Sequence, residues 1–272
     1  MPDRIGIGGS TRPRPAINTT VAHHARIWDY WLGGEDNFAV DRQAGDRIRA
    51  RFPVLSDVAA GGRQFLIRSV RYLAGEAGIR QFLDIGTGLP TVNNTHEVAR
   101  AIAPESRVAY VDNDPLVLVH ARALLAGGSH GLTDYVDADV HDPEAVLAGA
   151  ARTLDLTRPV AVMMLGVLNF VLADADARRI VRRLMAGVPS GSYLTLSHPT
   201  LELGGEPHGP AMAFWNGRAT PKTRARGRAE VTALLTGLDL VEPGLVAGPR
   251  WRPDDNGEPA ELPLWGAVAR KP

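Results

Sequence analysis

The sequence contains no cysteine. That excludes disulfides, thiol nucleophiles, iron–sulfur clusters and cysteine-ligated zinc together. It carries no net charge either, with 30 basic residues set against 30 acidic ones. A protein built mainly to bind nucleic acid or an anionic membrane would show a basic excess. Lysine is nearly absent: Lys222 and Lys271 are the only two, so 28 of the basic residues are arginines. Long apolar runs are lacking as well. The longest, VAVMMLGVL over 160–168, is far too short to cross a bilayer. The opening MPDRIGIGGSTRPRPAINTT has charge but no apolar segment that would make it a targeting signal. The expectation is a cytoplasmic protein without a membrane or nucleic-acid partner. His23 and His24 have no carboxylate or cysteine at metal-ligand spacing, so no metal is expected.

What is present describes a globular chain. At 272 residues and 44% apolar content it is long enough to bury a substantial core. Residues 1–20 are rich in Gly, Pro, Arg and Ser without periodicity, and read as a disordered tail. Residues 21–78 read as helical. VAHHARIWDYWLGG packs aromatics closely before the Gly33-Gly34 break, and helical spacing follows over 37–52 and 56–75.

After Gly78 the pattern alternates. Strands are expected at 80–86, 107–112, 134–139, 160–166 and 192–198. Helices are expected between them at 91–103, 116–127, from Asp142 to about 151, and at 174–188. A helix over 226–238 precedes two closing strands at 239–246 and 264–271. Residues 199–224 are ambiguous. Near-continuous apolar strands separated by helices imply a parallel sheet covered on both faces, an α/β fold. The region 79–272 is expected to form that sheet domain, with 21–78 as a helical cap or lid. The basic runs at 182–183 and 224–228 read as solvated helix faces.

In an open α/β sheet, ligands sit at the carboxyl ends of the strands. After the first strand comes Asp84-Ile85-Gly86-Thr87-Gly88, whose glycines permit a tight turn and close approach of a ligand to the backbone. After the second comes Asp112, 24 residues beyond Gly88 and placed to accept hydrogen bonds from ribose hydroxyls. After the third comes Asp139. A dinucleotide fingerprint needs a third glycine where Thr91 stands, and a Walker loop needs a lysine that is missing. An acid at position 84 would repel a pyrophosphate and suits the cationic end of a ligand.

FLDIGTGLP followed by YVDNDP and YVDADVHDP resembles the class I S-adenosylmethionine-dependent methyltransferases. ARIWDYWLGGEDNFAVDRQA, RYLAGEAGIRQFLDIGTGLPT, THEVAR, AYVDNDPLVLVHARALLA and the closing PRWRPD…WGAVARKP are similar to one actinobacterial family, known as "S-adenosyl methyltransferase" and without an assigned substrate. The likeness runs from Val21 to Pro272. It implies a Rossmann-like seven-stranded sheet, mostly parallel with the last strand antiparallel, and an N-terminal helical cap. It implies S-adenosylmethionine as cofactor. Asp84, Gly86, Thr87 and Gly88 would hold its methionine and ribose part. Asp112 would take the ribose hydroxyls, with Asn113 beside the adenine. Asp139 and Val140 would also face the adenine. Gly166, Asn169 and Phe170 would line the methionine side, with Asn169 standing where relatives often carry histidine.

The N-terminal aromatics read either as core of the cap or as a lid. As a lid, Tyr30 and Asn37 would offer polar ends and Arg26 would reach the cofactor carboxylate. His198, Tyr30 and Glu35 are the candidates for a general base, and the residues single out none of them. The reading is methyl transfer to a small-molecule acceptor. The alternative is an S-adenosylmethionine-binding sensor that transfers nothing. A basic channel beside 218–228 would point instead to nucleic acid. Oligomeric state is not legible.

Overall fold

The computed structural model describes residues 18–90, 92–119, 132–204, 208–217, 221–254 and 259–272. Most of the tail expected over 1–20 lies outside these residues, as does the helix expected over 116–127 beyond position 119. Three helices come first: α1 (His24–Trp31), α2 (Ala39–Arg51) and α3 (Val54–Gly75). The alternating part follows as β1 (Gln81–Ile85), α4 (Thr95–Ile102), β2 (Arg107–Asp112), β3 (Thr133–Asp137), α5 (Pro143–Ala150), β4 (Ala161–Leu165), α6 (Asp174–Ala186) and β5 (Tyr193–Pro199). The ambiguous stretch after β5 contains a helix, α7 (His208–Asn216), before α8 (Arg228–Leu234). The chain closes with β6 (Asp239–Leu240), β7 (Val246–Ala247) and β8 (Leu264–Arg270). No helix among the described residues is long and apolar enough to cross a membrane.

The sheet order is β3-β2-β1-β4-β5-β8-β6, with β7 also on β8. β1 to β5 pair in parallel, and β8 runs antiparallel to β5, β6 and β7. The sheet thus has eight strands where seven were expected. The difference lies in 239–246, read as one strand, which is two short ones. Pro243 cannot donate to a ladder, and Gly244 sits at φ +86°, so the segment turns between its ends.

Strand alternation sorts the core onto two faces. Leu83, Ile85, Ala109, Val111, Val162 and Met164 pack with α5, α6 and α8 on one face. Phe82, Val108, Tyr110, Ala161 and Met163 pack with α3 and α4 on the other. The second half of α3 belongs to that face: Phe65, Val70 and Leu73 are fully buried there. Trp251 from the closing segment is also fully buried. It meets Phe65 edge-on at 5.7 Å and Tyr72 at 5.8 Å. Arg68 of α3 donates to the backbone oxygens of Trp251 and Gly248, both at 2.9 Å. This explains PRWRPD as a packing element that ties the C-terminal segment to α3.

Candidate functional site

Strand order reverses between β1 and β4, so the loops after these strands part and leave a crevice. The same alternation decides which side chains enter it. Asp84 follows Phe82 by two positions, and so faces α3 and α4. Its register partner on β2 is Tyr110, which pairs in turn with Tyr135 and stacks on it at 4.8 Å. From α4, Thr95 donates its hydroxyl to Asp84 Oδ2 at 2.6 Å. After β1 the chain turns through Gly86 and Gly88, at φ +75° and +65°. A Cβ on Gly86 would strike Val167 at 2.6 Å, whereas one on Gly88 would meet nothing within 4 Å among the described residues. Asp112 braces this turn, accepting from the backbone N–H groups of Gly88 at 3.0 Å and Asp114 at 2.9 Å. Asn113 donates to Asp139 at 3.2 Å, and Asp139 also pairs with His141 at 2.8 Å.

These groups line one cavity of about 710 Å³, within the range that holds a small ligand. Of the residues singled out from sequence, it brings together Asp84, Gly86, Thr87, Gly88, Asp112, Asn113, Asp139, Val140, Gly166, Asn169 and Phe170. The strand-end part is acidic, with Asp114 added to the three expected acids and Arg63 of α3 as its cation. Burial lowers the pKa of Arg63 while Asp84, Tyr110 and Glu97 raise it; a guanidinium stays charged against such opposition.

Burial pushes the Asp84 carboxyl up to about 6, against the Thr95 hydrogen bond and the charge of Arg63. The folded protein therefore holds this proton more tightly than the unfolded chain does. The stability that goes with the neutral form is fully present below about pH 4 and is lost as pH rises through about 6. Asp84→Asn, of the same shape without the charge, is expected to melt above the wild type near neutral pH. That advantage should shrink to nothing toward about pH 4. Melting curves across this range check it, and a constant Tm difference would contradict a buried charge at position 84.

Five expected site residues do not face the cavity. Arg26 is buried against Asp41 at 2.8 Å and also binds the backbone oxygens of Asn18 and Val21. Its fork is consumed in fastening the start of α1 to α2. Tyr30 donates to Asp46 of α2 at 2.8 Å. It misses the cavity because α1 presents His24, Ile27, Trp28 and Trp31 to it, spaced i, i+3, i+4 and i+7, and Tyr30 is off that stripe. Asn37 donates to Asp29 at 2.9 Å and to the Gly34 oxygen at 2.8 Å, closing the glycine turn. Glu35 is exposed. His198 follows Leu194 and Leu196 onto the opposite face of the sheet, while Ser197 and Pro199 reach the cavity. Its Nε2 accepts from Arg226 at 2.8 Å, which leaves Nδ1 to donate to the Pro199 oxygen at 2.9 Å. Burial lowers its pKa to about 4. With both nitrogens engaged, it is not the base.

Three features escaped the sequence. Arg63 was unmarked within a helical stretch. His24 lines the cavity and meets Phe170 at 4.7 Å with the rings tilted by 52°; burial, then His23, lowers its pKa to about 3. The run 224–228 is a solvated basic face only in part: Arg228 is exposed and Arg224 half-buried. Arg226 is fully buried and donates to the backbone oxygens of Leu168 at 2.8 Å and Val171 at 2.7 Å. The Arg224 N–H holds the Asn169 oxygen at 2.8 Å. Together they clamp the turn after β4 that carries Asn169 and Phe170. The run 182–183 does lie on the solvent side of α6.

A family model described as S-adenosyl methyltransferase matches residues 10–272. A DUF574-family protein of Streptomyces avermitilis is 46% identical, and its structure superposes with a TM-score of 0.88 over 94% of this chain and all of that one. A candidate methyltransferase of Thermobifida fusca is 39% identical, with a TM-score of 0.86 over 96% of this chain and 99% of that one. No curated protein matches the sequence.

Proposed function

This chain belongs to the S-adenosyl methyltransferase family, and from that premise we propose how its residues hold the cofactor and what kind of acceptor they admit. It is an S-adenosylmethionine-dependent methyltransferase. The cofactor carries an ammonium and a sulfonium, one carboxylate, a ribose diol and an adenine. The charges of the strand-end cavity suit that set. Asp84 takes the ammonium and Arg63 the carboxylate of the same amino-acid end. Gly86, Thr87 and Gly88 offer backbone to the chain between methionine and ribose. Asp112 accepts from the two ribose hydroxyls. Asn113, Asp139 and Val140 hold the adenine, while Gly166, Asn169 and Phe170 border the methionine. The observation that carries this reading is the buried Asp84 and the cation of Arg63 lining one cavity beside the glycine turn. A bound ammonium would draw the Asp84 carboxyl back toward its ionised form.

When bound, the cofactor supplies a methyl group on sulfonium sulfur: the acceptor's lone pair forms the new bond to carbon, the S–C electron pair stays on sulfur, and the acceptor loses a proton. The chain's own part is to position and to exclude water. α1, α2 and the first turns of α3 serve as the cap over the strand ends, and 79–272 as the cofactor-binding sheet. A cavity of this size, partly roofed by α1, favours a small-molecule acceptor over a macromolecule.

Calorimetric titration with S-adenosylmethionine and S-adenosylhomocysteine should show one site per chain. Arg63→Met should weaken S-adenosylhomocysteine by at least about tenfold, the worth of a charge-assisted hydrogen bond. It should leave 5′-methylthioadenosine, which lacks the amino-acid end, unaffected. Absence of heat with either full ligand would defeat the assignment. An equal loss for methylthioadenosine would remove Arg63 from the carboxylate.

A further inference from the structure

Beyond the strand-end residues, the same cavity continues into an apolar half between α1, the start of α3 and α7. Its walls include Trp28, Trp31, Leu55, Val58, Met212 and Trp215. Among the described residues, Arg63 is the only arginine or lysine lining the cavity, and the reading above commits it to the cofactor. The acids of the cavity lie at the ends of β1, β2 and β3. The apolar half therefore offers no counter-charge, and an ion buried there without one would be strongly disfavoured. It does offer three indole rings, which favour stacked or edge-on aromatic neighbours beyond the area they bury.

Residues of this cavity also carry buried polar atoms with no hydrogen-bond partner among the described residues: Trp215 Nε1, His24 Nδ1 and Asn169 Oδ1. Buried polar groups are rarely left so. Indole N–H can only donate, and the Asn169 oxygen can only accept. The His24 ring is uncharged at neutral pH, so Nδ1 can accept when the proton sits on Nε2. The wall bearing Trp215 is tied to the Asn169 turn. Asn216 holds the Thr223 backbone at 2.7 and 2.8 Å, and the backbone N–H of the next residue, Arg224, donates to the Asn169 backbone oxygen. One donor and two acceptors match a hydroxyl group, which accepts and donates at once.

We propose that the apolar half is the acceptor site and that the acceptor is an uncharged, hydroxylated aromatic molecule, its ring among Trp28, Trp31 and Trp215. The hydroxyl accepts from Trp215 Nε1 and donates to His24 Nδ1 or Asn169 Oδ1. The inference rests on the cofactor assignment above. Its test separates the two by measuring binding rather than turnover.

The probes are 2-naphthol, naphthalene-2-sulfonate and cyclohexanol, titrated calorimetrically into the full chain with and without saturating S-adenosylhomocysteine. Naphthol should bind one per chain, at least about tenfold more tightly than either the charged or the aliphatic probe. Trp215→Phe keeps the ring and removes the N–H. It should weaken naphthol by about three- to tenfold, one neutral hydrogen bond. Trp28 is 41% exposed, so Trp28→Ala should fold. It should weaken naphthol while leaving S-adenosylhomocysteine unchanged. Sulfonate binding as tightly as naphthol would overturn the proposal, as would naphthol affinity indifferent to both variants. Absence of naphthol binding in a protein that takes up S-adenosylhomocysteine would overturn it too, and would return a macromolecular acceptor to consideration. Loss of S-adenosylhomocysteine binding with naphthol retained would strike the cofactor assignment alone.

Discussion

Arg226→Met is expected to lower the melting temperature by roughly 10 °C. The Arg226 side chain is fully buried and serves four partners. It pairs with Asp174 at 2.9 Å, donates to two backbone oxygens of the turn after β4, and donates to His198 Nε2 at 2.8 Å. Methionine fills much of the volume but leaves all four acceptors short of a donor. Leaving the two buried backbone oxygens and His198 Nε2 without their donor costs about 1–3 kcal/mol each, at least about 3 kcal/mol together. At about 2–4 °C per kcal/mol for a domain of this size, that gives the expected shift. Arg226→Lys should recover little, because a single ammonium cannot reproduce the planar fork. S-adenosylhomocysteine affinity should fall as well, since the clamped turn carries Asn169 and Phe170. A drop of only a degree or two with unchanged affinity would mean the turn holds its shape without the clamp.

Asp112→Ala is expected to weaken S-adenosylhomocysteine by about a hundredfold. Two hydrogen bonds from ribose hydroxyls to a carboxylate are each worth about 1.5–3 kcal/mol at most, and about 1.4 kcal/mol is tenfold in affinity. The substitution also frees the backbone N–H groups of Gly88 and Asp114 that the carboxylate now holds, so the glycine turn loosens at the same time. Asp142→Ala is the control. Asp142 caps α5 by accepting from the Ala145 N–H at 3.0 Å and does not line the cavity. Its loss should cost about 1 kcal/mol of stability and leave affinity intact. Calorimetry on both variants decides the matter, and equal affinities would remove Asp112 from the ribose.

The acids of the strand ends were legible because their chemistry is local. Asp84 and the two glycines occupy five consecutive positions after an apolar run, and Asp112 closes the next such run. Asp139 lies two residues beyond the end of β3, still within the cavity. Parallel register then carries these ends to one edge of the sheet. Period-2 alternation would also have turned His198 away from that edge, given that Leu194 and Leu196 face the other core. The signal was present, but position at a strand end outweighed it. Arg26 was misplaced for a different reason. A helix start tells nothing of which distant carboxylate an arginine meets, and Asp41 lies 15 positions away in sequence.

The zero net charge and the absent cysteine exclude a strongly basic surface overall and any thiol or disulfide chemistry. Composition, apolar periodicity and the glycine turn by themselves determined an α/β sheet with acids at its strand ends and no thiol chemistry. Only the tertiary structure decided that Arg63 lines the same cavity as Asp84, that α1 shows its tryptophans rather than its tyrosine to the cavity, and that Arg226 of an apparently solvated run is an internal clamp. These depend on how each helix is rotated over the sheet. That rotation is set by packing between elements far apart in the chain, which no local spacing encodes.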